Sequence, residues 1–312
     1  MSNIDDLVYK YNRLNNSFEK TYVFHLGANA GFFSEYNNMI LAMLYCLKNK
    51  IKFVLYSKTA NFGVNNGWSD YFHSFCEENE NLFHAKYNYR YPIKLSSEIE
   101  GIINSYKSEN YIDYLTYELW NLFRNKDFEE DHYEIPELDI NGDIIHACSI
   151  LIELTWNYNQ LTSDCINNLA EKLELPSNYI GLHIRAGDKS IESELKPVDA
   201  YIDKVNTLTN IKDAFVLTDD YTIIEELRKK HLDWNFYTLC EEQERGYIHN
   251  KFMRSNSEIK MSHLFKLFLS VDILAISNYF IGTFTSNVGM YLGMKMPKGK
   301  CYGIDINEWH IW

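Results

Sequence analysis

The sequence is short of the residues that break regular structure, of positive charge, and of long apolar runs. Its 312 residues include only 14 glycines and five prolines, below the average usage of both, so collagen-like and Gly/Pro-linker architectures are excluded. No apolar run approaches the ~18 residues needed to span a bilayer. Thirty Lys and Arg face 43 Asp and Glu, a formal charge of −13. A field of that sign repels phosphate backbones and anionic lipid, which argues against nucleic-acid or membrane-surface partners. It still leaves room for a local basic pocket around a small phosphorylated ligand. Cysteine clusters are missing too. Cys46, Cys76, Cys148, Cys165, Cys240 and Cys301 form no C-x-x-C pair and no Cys/His spacing suited to zinc. The first residues, MSNIDDLVYK, are polar and acidic, unlike a signal peptide. Together these features point to free thiols in a reducing cytoplasm.

What is present describes an ordinary globular protein: 46% apolar and 23% charged residues, long enough for roughly two domains of ~150 residues with a sizeable core. Aromatics are heavy, with 24 Tyr, 18 Phe and 6 Trp. They suit a Tyr/Phe-rich core, and Tyr and Trp also line sugar-binding clefts.

The pattern alternates strands and helices, which predicts an α/β fold with parallel sheets. Residues 20–26 and 51–56 read as strands. Between them lie a turn around Gly27–Gly31 and a helix from Ser34 to Lys50, capped by Ser34. The stretch from about 95 to 172 reads mostly helical, with YIDYLTYELWNLF its clearest amphipathic run, and carries an acidic patch at Glu129, Glu130 and Asp131. The pattern restarts near residue 175, giving two α/β domains, 1–175 and 176–312. Strands at 179–184, 214–218, 235–239, 279–282 and near 301 alternate with helices in the second. Ligands of such folds bind at the carboxyl ends of the strands.

Three motifs stand at such strand ends. In Gly181-Leu-His-Ile-Arg-Ala-Gly-Asp-Lys189, alternation puts His183 and Arg185 on one face. An arginine there can fork onto a diphosphate through two parallel N–H bonds. An Arg–Asp pair holding a turn, with His183 a satisfied core residue, would read the same way. In Phe280-Ile-Gly-Thr-Phe-Thr-Ser-Asn287, hydroxyls and N–H groups at a helix start can hold an anion, or simply cap the helix. In Leu217-Thr-Asp-Asp220, Asp219 or Asp220 can cap a helix, bind a metal or contact a ribose. There is no D-x-D, no P-loop, no G-x-G-x-x-G, no G-x-S-x-G and no H-E-x-x-H.

Taken in order, GLHIRAGDK, AFVLTDD and YFIGTFTSN resemble the three C-terminal motifs of the fucosyltransferase superfamily, closest to the α1,6-fucosyltransferases of the core-fucosylating and Nod-factor type. The N-terminal GFFSEYNNMILAMLYCLKNKIKFVLYS followed by GWSDYF is similar to that family as well. The resemblance covers about two thirds of the chain and leaves 75–170 unmatched.

It implies a GT-B-like fold of two Rossmann-like domains with a cleft between them. The first domain would take the acceptor and the second the nucleotide sugar. It implies inverting transfer from GDP-fucose to a glycan hydroxyl, with no metal or other cofactor, consistent with the missing D-x-D. Arg185 would hold the β-phosphate, and His183 would sit near the guanine or ribose. Thr285, Ser286 and Asn287 would cover the phosphates, and Asp219 would also line the donor. Lys189 matches the family's relay lysine. Glu192 matches its base in distance from Pro197, with Glu194 the rival. The sequence departs from the family in two places. Ala186 stands where the α1,6 enzymes have a second arginine. The guanine-contacting acid falls on Ser270, with Asp272 two residues away. These departures keep a different nucleotide sugar in play, and an inactive sugar- or nucleotide-binding scaffold is a further alternative.

Overall fold

Parallel strand pairing organises both halves of the chain. The computed structural model describes residues 3–28, 30–91, 96–124, 132–186, 196–246, 252 and 254–310. The chain divides into two units, Met1–Leu161 and Thr162–Trp312.

The first unit contains α1 (Asn3–Asn15), β1 (Lys20–His25), α2 (Phe32–Asn49), β2 (Ile51–Tyr56), α3 (Phe83–Tyr87), α4 (Ser97–Glu109), β3 (Tyr114–Leu115) and α5 (Thr116–Arg124). It continues with β4 (Tyr133–Ile135), β5 (Ile140–Gly142) and α6 (Ile144–Thr155), and α7 (Gln160–Ala170) begins at the boundary. Its main sheet runs β2-β1-β3 with every pairing parallel. Burial on both faces explains why β1 and β2 read as apolar runs rather than alternating ones.

Three expectations for this unit are corrected. Tyr114 and Leu115, read as part of a helix, form a third parallel strand opposite Tyr22 and Val23. Two residues are too few to show a period of two, so the adjoining helical pattern of α5 absorbs them. Residues 133–142 hold an antiparallel hairpin, β4 with β5, inside a stretch that reads as helical. Helix α2 starts earlier than expected: Gly31 is its N-cap, and Ser34 lies inside it. No side chain caps this helix locally. The fully buried Glu35 instead ties down the preceding turn, accepting from Gly27 N at 3.0 Å and Ala30 N at 2.9 Å, and it is ion-paired with Arg90.

The aromatic wealth of the sequence is spent on the core here. Trp68 stacks on Phe72 at 4.2 Å between centroids, and Trp156 packs around Phe32, Phe33 and Phe72.

Asn88 ties the carboxyl half of β1 to its neighbours. Its amide donates to Val23 O at 2.9 Å and to His84 Nδ1 at 3.1 Å, and its Oδ1 accepts from Thr116 N at 2.6 Å. Its backbone oxygen accepts from His25 Nδ1 at 2.6 Å. Both imidazoles are buried, which pushes His25 below its ordinary range and His84 down to about 4. An unfolded histidine binds its proton near pH 6.5. The stability these neutral rings contribute is therefore present above about pH 6.5 and is lost as pH falls towards about 4. We expect the thermal midpoint to drop between pH 7 and pH 4, with His84 accounting for on the order of 3 kcal/mol. His84→Asn should flatten that part of the profile, and an unchanged pH dependence in the variant would contradict the account.

The second unit is built from β6 (Ile180–His183), α8 (Val198–Asn206), β7 (Asp213–Leu217), α9 (Tyr221–Lys230), β8 (Asn235–Tyr237), α10 (Ser257–Ile276), β9 (Tyr279–Gly282), α11 (Asn287–Lys295) and β10 (Cys301–Gly303). Residue 175, where the sequence pattern restarts, lies within this unit, beyond α7. The sheet order is β10-β9-β6-β7-β8, parallel throughout. Ile180, Leu182 and Ile184 face a core completed by Tyr201, Ile202 and Val205 of α8 and by Ile224 and Leu227 of α9. On the opposite face, Gly181 abuts Leu274 and Ser277 at the end of α10. Helices thus cover both faces of the sheet, as a parallel sheet requires.

All six cysteines are free, and burial raises the thiols of Cys46, Cys76, Cys148, Cys240 and Cys301. Among the described residues no helix is long and apolar enough to cross a membrane.

Candidate active site

All strands of the second sheet run the same way, so their carboxyl ends share one edge, where open α/β sheets hold ligands. His183 ends β6, Asp219 follows β7, the turn Thr283–Ser286 follows β9, and Asp305 follows β10. β6 lies between β7 and β9, which brings the three sequence motifs together.

His183 is 5% exposed. Burial, with help from Arg185, pushes its imidazole down to about 3, so the ring is neutral near pH 7. A neutral ring at this position can pack and hydrogen-bond. Gly282, in the neighbouring strand, leaves room for the Phe280 ring and for His183: a Cβ there would run into the Phe280 ring and come within 3.2 Å of His183 Cβ. Arg185 is half-buried two residues beyond the ring. β6 ends at His183, so Arg185 stands past the strand, near enough for its charge to act on the His183 ring.

Ser286 is the N-cap of α11, its Oγ accepting from Gly289 N at 3.0 Å. The same hydroxyl donates to Thr283 O at 2.7 Å and makes a long contact, 3.5 Å, with His183 Nδ1. The serine thus caps its helix and touches the strand-end histidine at once. Thr285 is differently placed: its N–H and hydroxyl both bind Asp305 Oδ2, at 3.0 Å and 2.6 Å. Asn287 opens α11.

The two consecutive aspartates divide their labour. Asp219 Oδ1 accepts from Ala186 N at 2.9 Å, fastening the chain just after Arg185 to the end of β7. Asp220 caps α9, accepting from the N–H and hydroxyl of Thr222 at 2.9 Å and 2.8 Å.

Ser270 and Asp272 make their contacts elsewhere. Ser270 is buried within α10, and its hydroxyl donates to Lys266 O at 2.7 Å. Asp272 pairs with Lys295 at 4.0 Å, at the far end of α11 from Ser286. At about 1.5 Å per residue, that end is roughly 13 Å along the helix from its start. Lys189, Glu192 and Glu194 lie outside the described residues, as does the acidic patch Glu129–Asp131. Among the described residues no group of three or more His, Cys, Asp or Glu side chains could hold a metal ion.

The sequence reading missed Asp305. The signal available was an acid just after the last strand of a parallel sheet, beside the Thr/Ser-rich end of β9.

The family model for the N- and catalytic domains of alpha-(1,6)-fucosyltransferase matches residues 20–292, well over half of the chain. The chain belongs to the α-1,6-fucosyltransferase family. It is therefore a glycosyltransferase. Solved structures agree on the fold. NodZ α-1,6-fucosyltransferase soaked with GDP-fucose aligns with a TM-score of 0.54 at 14% identity, covering 89% of this chain and 93% of that one. Fucosyltransferase NodZ from Bradyrhizobium gives the same score and identity, covering 89% of this chain and 94% of its own. No match was found among curated proteins. The likeness bears on the fold, α/β with parallel sheets and GT-B-like.

Proposed function

We propose that the chain transfers fucose from GDP-fucose to a hydroxyl of a glycan acceptor, in a single inverting displacement that needs no metal ion. The observation that carries this reading is that Arg185 follows β6 and the Ser286-capped start of α11 follows the adjacent β9, at the same edge of the sheet. A guanidinium and a helix N-terminus on neighbouring strand ends are two fixed sources of positive potential for a diphosphate. GDP is the leaving group, and its charge grows as the bond to the anomeric carbon breaks. Preorganised charge aimed at a leaving group accelerates the step because it costs no reorganisation. Arg185 would take the β-phosphate in the role a divalent cation plays elsewhere.

The acceptor oxygen attacks the anomeric carbon from the face opposite the diphosphate, so one displacement inverts the configuration. Its proton passes to a carboxylate, for which Glu192 is our candidate and Glu194 the rival, with Lys189 as relay. General-base help of this kind is worth ~10²–10⁴-fold. His183, held neutral, would accept or donate a hydrogen bond to the nucleotide without titrating. Asp219 would act by fixing Ala186, and with it the backbone that carries Arg185.

One observation favours a second reading, the same chemistry with another nucleotide sugar. Ser270 spends its hydroxyl inside α10, and Asp272 is paired with Lys295, so neither position offers a free acid to a guanine. Calorimetric titration of GDP, UDP and CDP in EDTA separates the two. We expect GDP to bind most tightly by at least tenfold. Selective binding of UDP or CDP would overturn fucose as the donor sugar, and no binding by any of the three would overturn the nucleoside diphosphate as the leaving group.

A further inference from the structure

The carboxylate of Asp305 is saturated by donors from two loops. Oδ1 accepts from Phe284 N at 2.8 Å and from Ile306 N at 3.0 Å. Oδ2 accepts from Thr285 N at 3.0 Å and from Thr285 Oγ1 at 2.6 Å. Three of these four bonds reach across to the turn after β9, and the fourth closes the carboxylate's own loop after β10. Burial alone would raise this carboxyl, but the bonds from the Thr285 hydroxyl and from the Thr285 and Phe284 N–H groups hold it below its usual range, so it stays ionised.

This arrangement decides which donors an anion can use. The N–H groups of Phe284 and Thr285 and the Thr285 hydroxyl are already committed to a negative charge. A phosphate approaching them would meet Asp305 rather than free donors. What remains for it on this strand end is the Ser286 side of the turn, next to His183 and the start of α11.

We propose that Asp305 is a positioning residue for the donor diphosphate: it clamps the Phe284–Thr285 segment to the loop after β10 and so fixes Ser286 and the start of α11 where the β-phosphate is received. This rests on the assignment of that edge to a nucleoside diphosphate made above. Asp305 acts through the turn and does not touch the ligand.

Asp305→Asn is nearly isosteric but cannot reproduce the clamp. Its amide nitrogen must face either Thr285, losing the N–H bond while the hydroxyl can turn to accept, or the N–H groups of Phe284 and Ile306, losing both, so at least one backbone bond is lost in either orientation. Thr285→Val removes only the hydroxyl bond and is the milder companion, which reads the same effect where the asparagine variant does not fold.

The experiment is calorimetric titration of GDP and GMP into the wild type and both variants. A clamp that serves the β-phosphate predicts that D305N weakens GDP about tenfold and T285V about threefold, while GMP changes less than about twofold. A role confined to general stability would not separate the two nucleotides. GDP affinity within about twofold of the wild type in D305N, or equal loss of GDP and GMP, would overturn the inference alone. A wild type that binds GMP as tightly as GDP would overturn the diphosphate assignment, and this inference with it.

Discussion

Arg185→Ala should lower turnover with GDP-fucose by about 10²–10³-fold and weaken GDP, while leaving the protein folded. The magnitude is that of removing one preorganised donor from a developing negative charge. The expectation of an intact fold is equally structural. Arg185 lies past the end of β6, and the core on one face of that strand is made by Ile180, Leu182 and Ile184 with α8 and α9. Truncating a half-buried side chain that is not part of that core removes nothing from it. The fastening of the chain after it, Ala186 N to Asp219, is a backbone bond that the substitution keeps. Steady-state assay together with a thermal melt checks both halves of the prediction. A folded Arg185→Ala protein with wild-type turnover would remove the arginine from the chemistry.

Gly289→Ala should be strongly damaging. A Cβ at Gly289 would run into the carbonyl oxygen of Thr283 and lie 2.8 Å from its carbonyl carbon and 3.1 Å from Ser286 Oγ. That carbonyl is the acceptor for both the N–H and the hydroxyl of Ser286, at 3.2 Å and 2.7 Å. The clash is with backbone, so no rotamer change relieves it, and either the turn opens or the first turn of α11 lifts. Forced repacking of this kind costs about 1–3 kcal/mol, a drop in the thermal midpoint of several degrees on the scale of about 2–4 °C per kcal/mol. Because the displaced group is Ser286, GDP binding should suffer beyond the loss of stability, by about tenfold or more. An alanine variant that melts and binds GDP like the wild type would show that the helix start is not held against Thr283.

The two predictions draw on features that differed in how plainly the sequence displayed them. Buried parallel strands are short, apolar and bounded by turns, and β1, β2, β6, β7 and β9 stood out for that reason. Their endings could be read as well, so His183, Asp219 and Ser286 could be placed at one edge of the sheet from the sequence. What escaped was held by partners far away in sequence. Tyr114 and Leu115 become a strand because β1 offers them an edge, and helical periodicity next door hides them. Ser34 has the chemistry of a cap, but Glu35 reaches back to the turn and supplants it. Asp305 stands twenty residues from Thr285, and it is its hydrogen bonds that tie the two together. Conversely, counting along α10 to Ser270 and Asp272 followed the family's spacing. In the structure Ser270 bonds within its own helix, and Asp272 pairs with Lys295.

The most direct test of the account is release of GDP from GDP-fucose by the wild-type protein in excess EDTA, measured with and without a panel of glycan acceptors. Metal-independent fucosyl transfer predicts acceptor-stimulated release that is unchanged when Mg²⁺ or Mn²⁺ is restored. Release that appears only on adding a divalent cation would contradict the role given to Arg185. Turnover of another nucleotide sugar in place of GDP-fucose would contradict the donor.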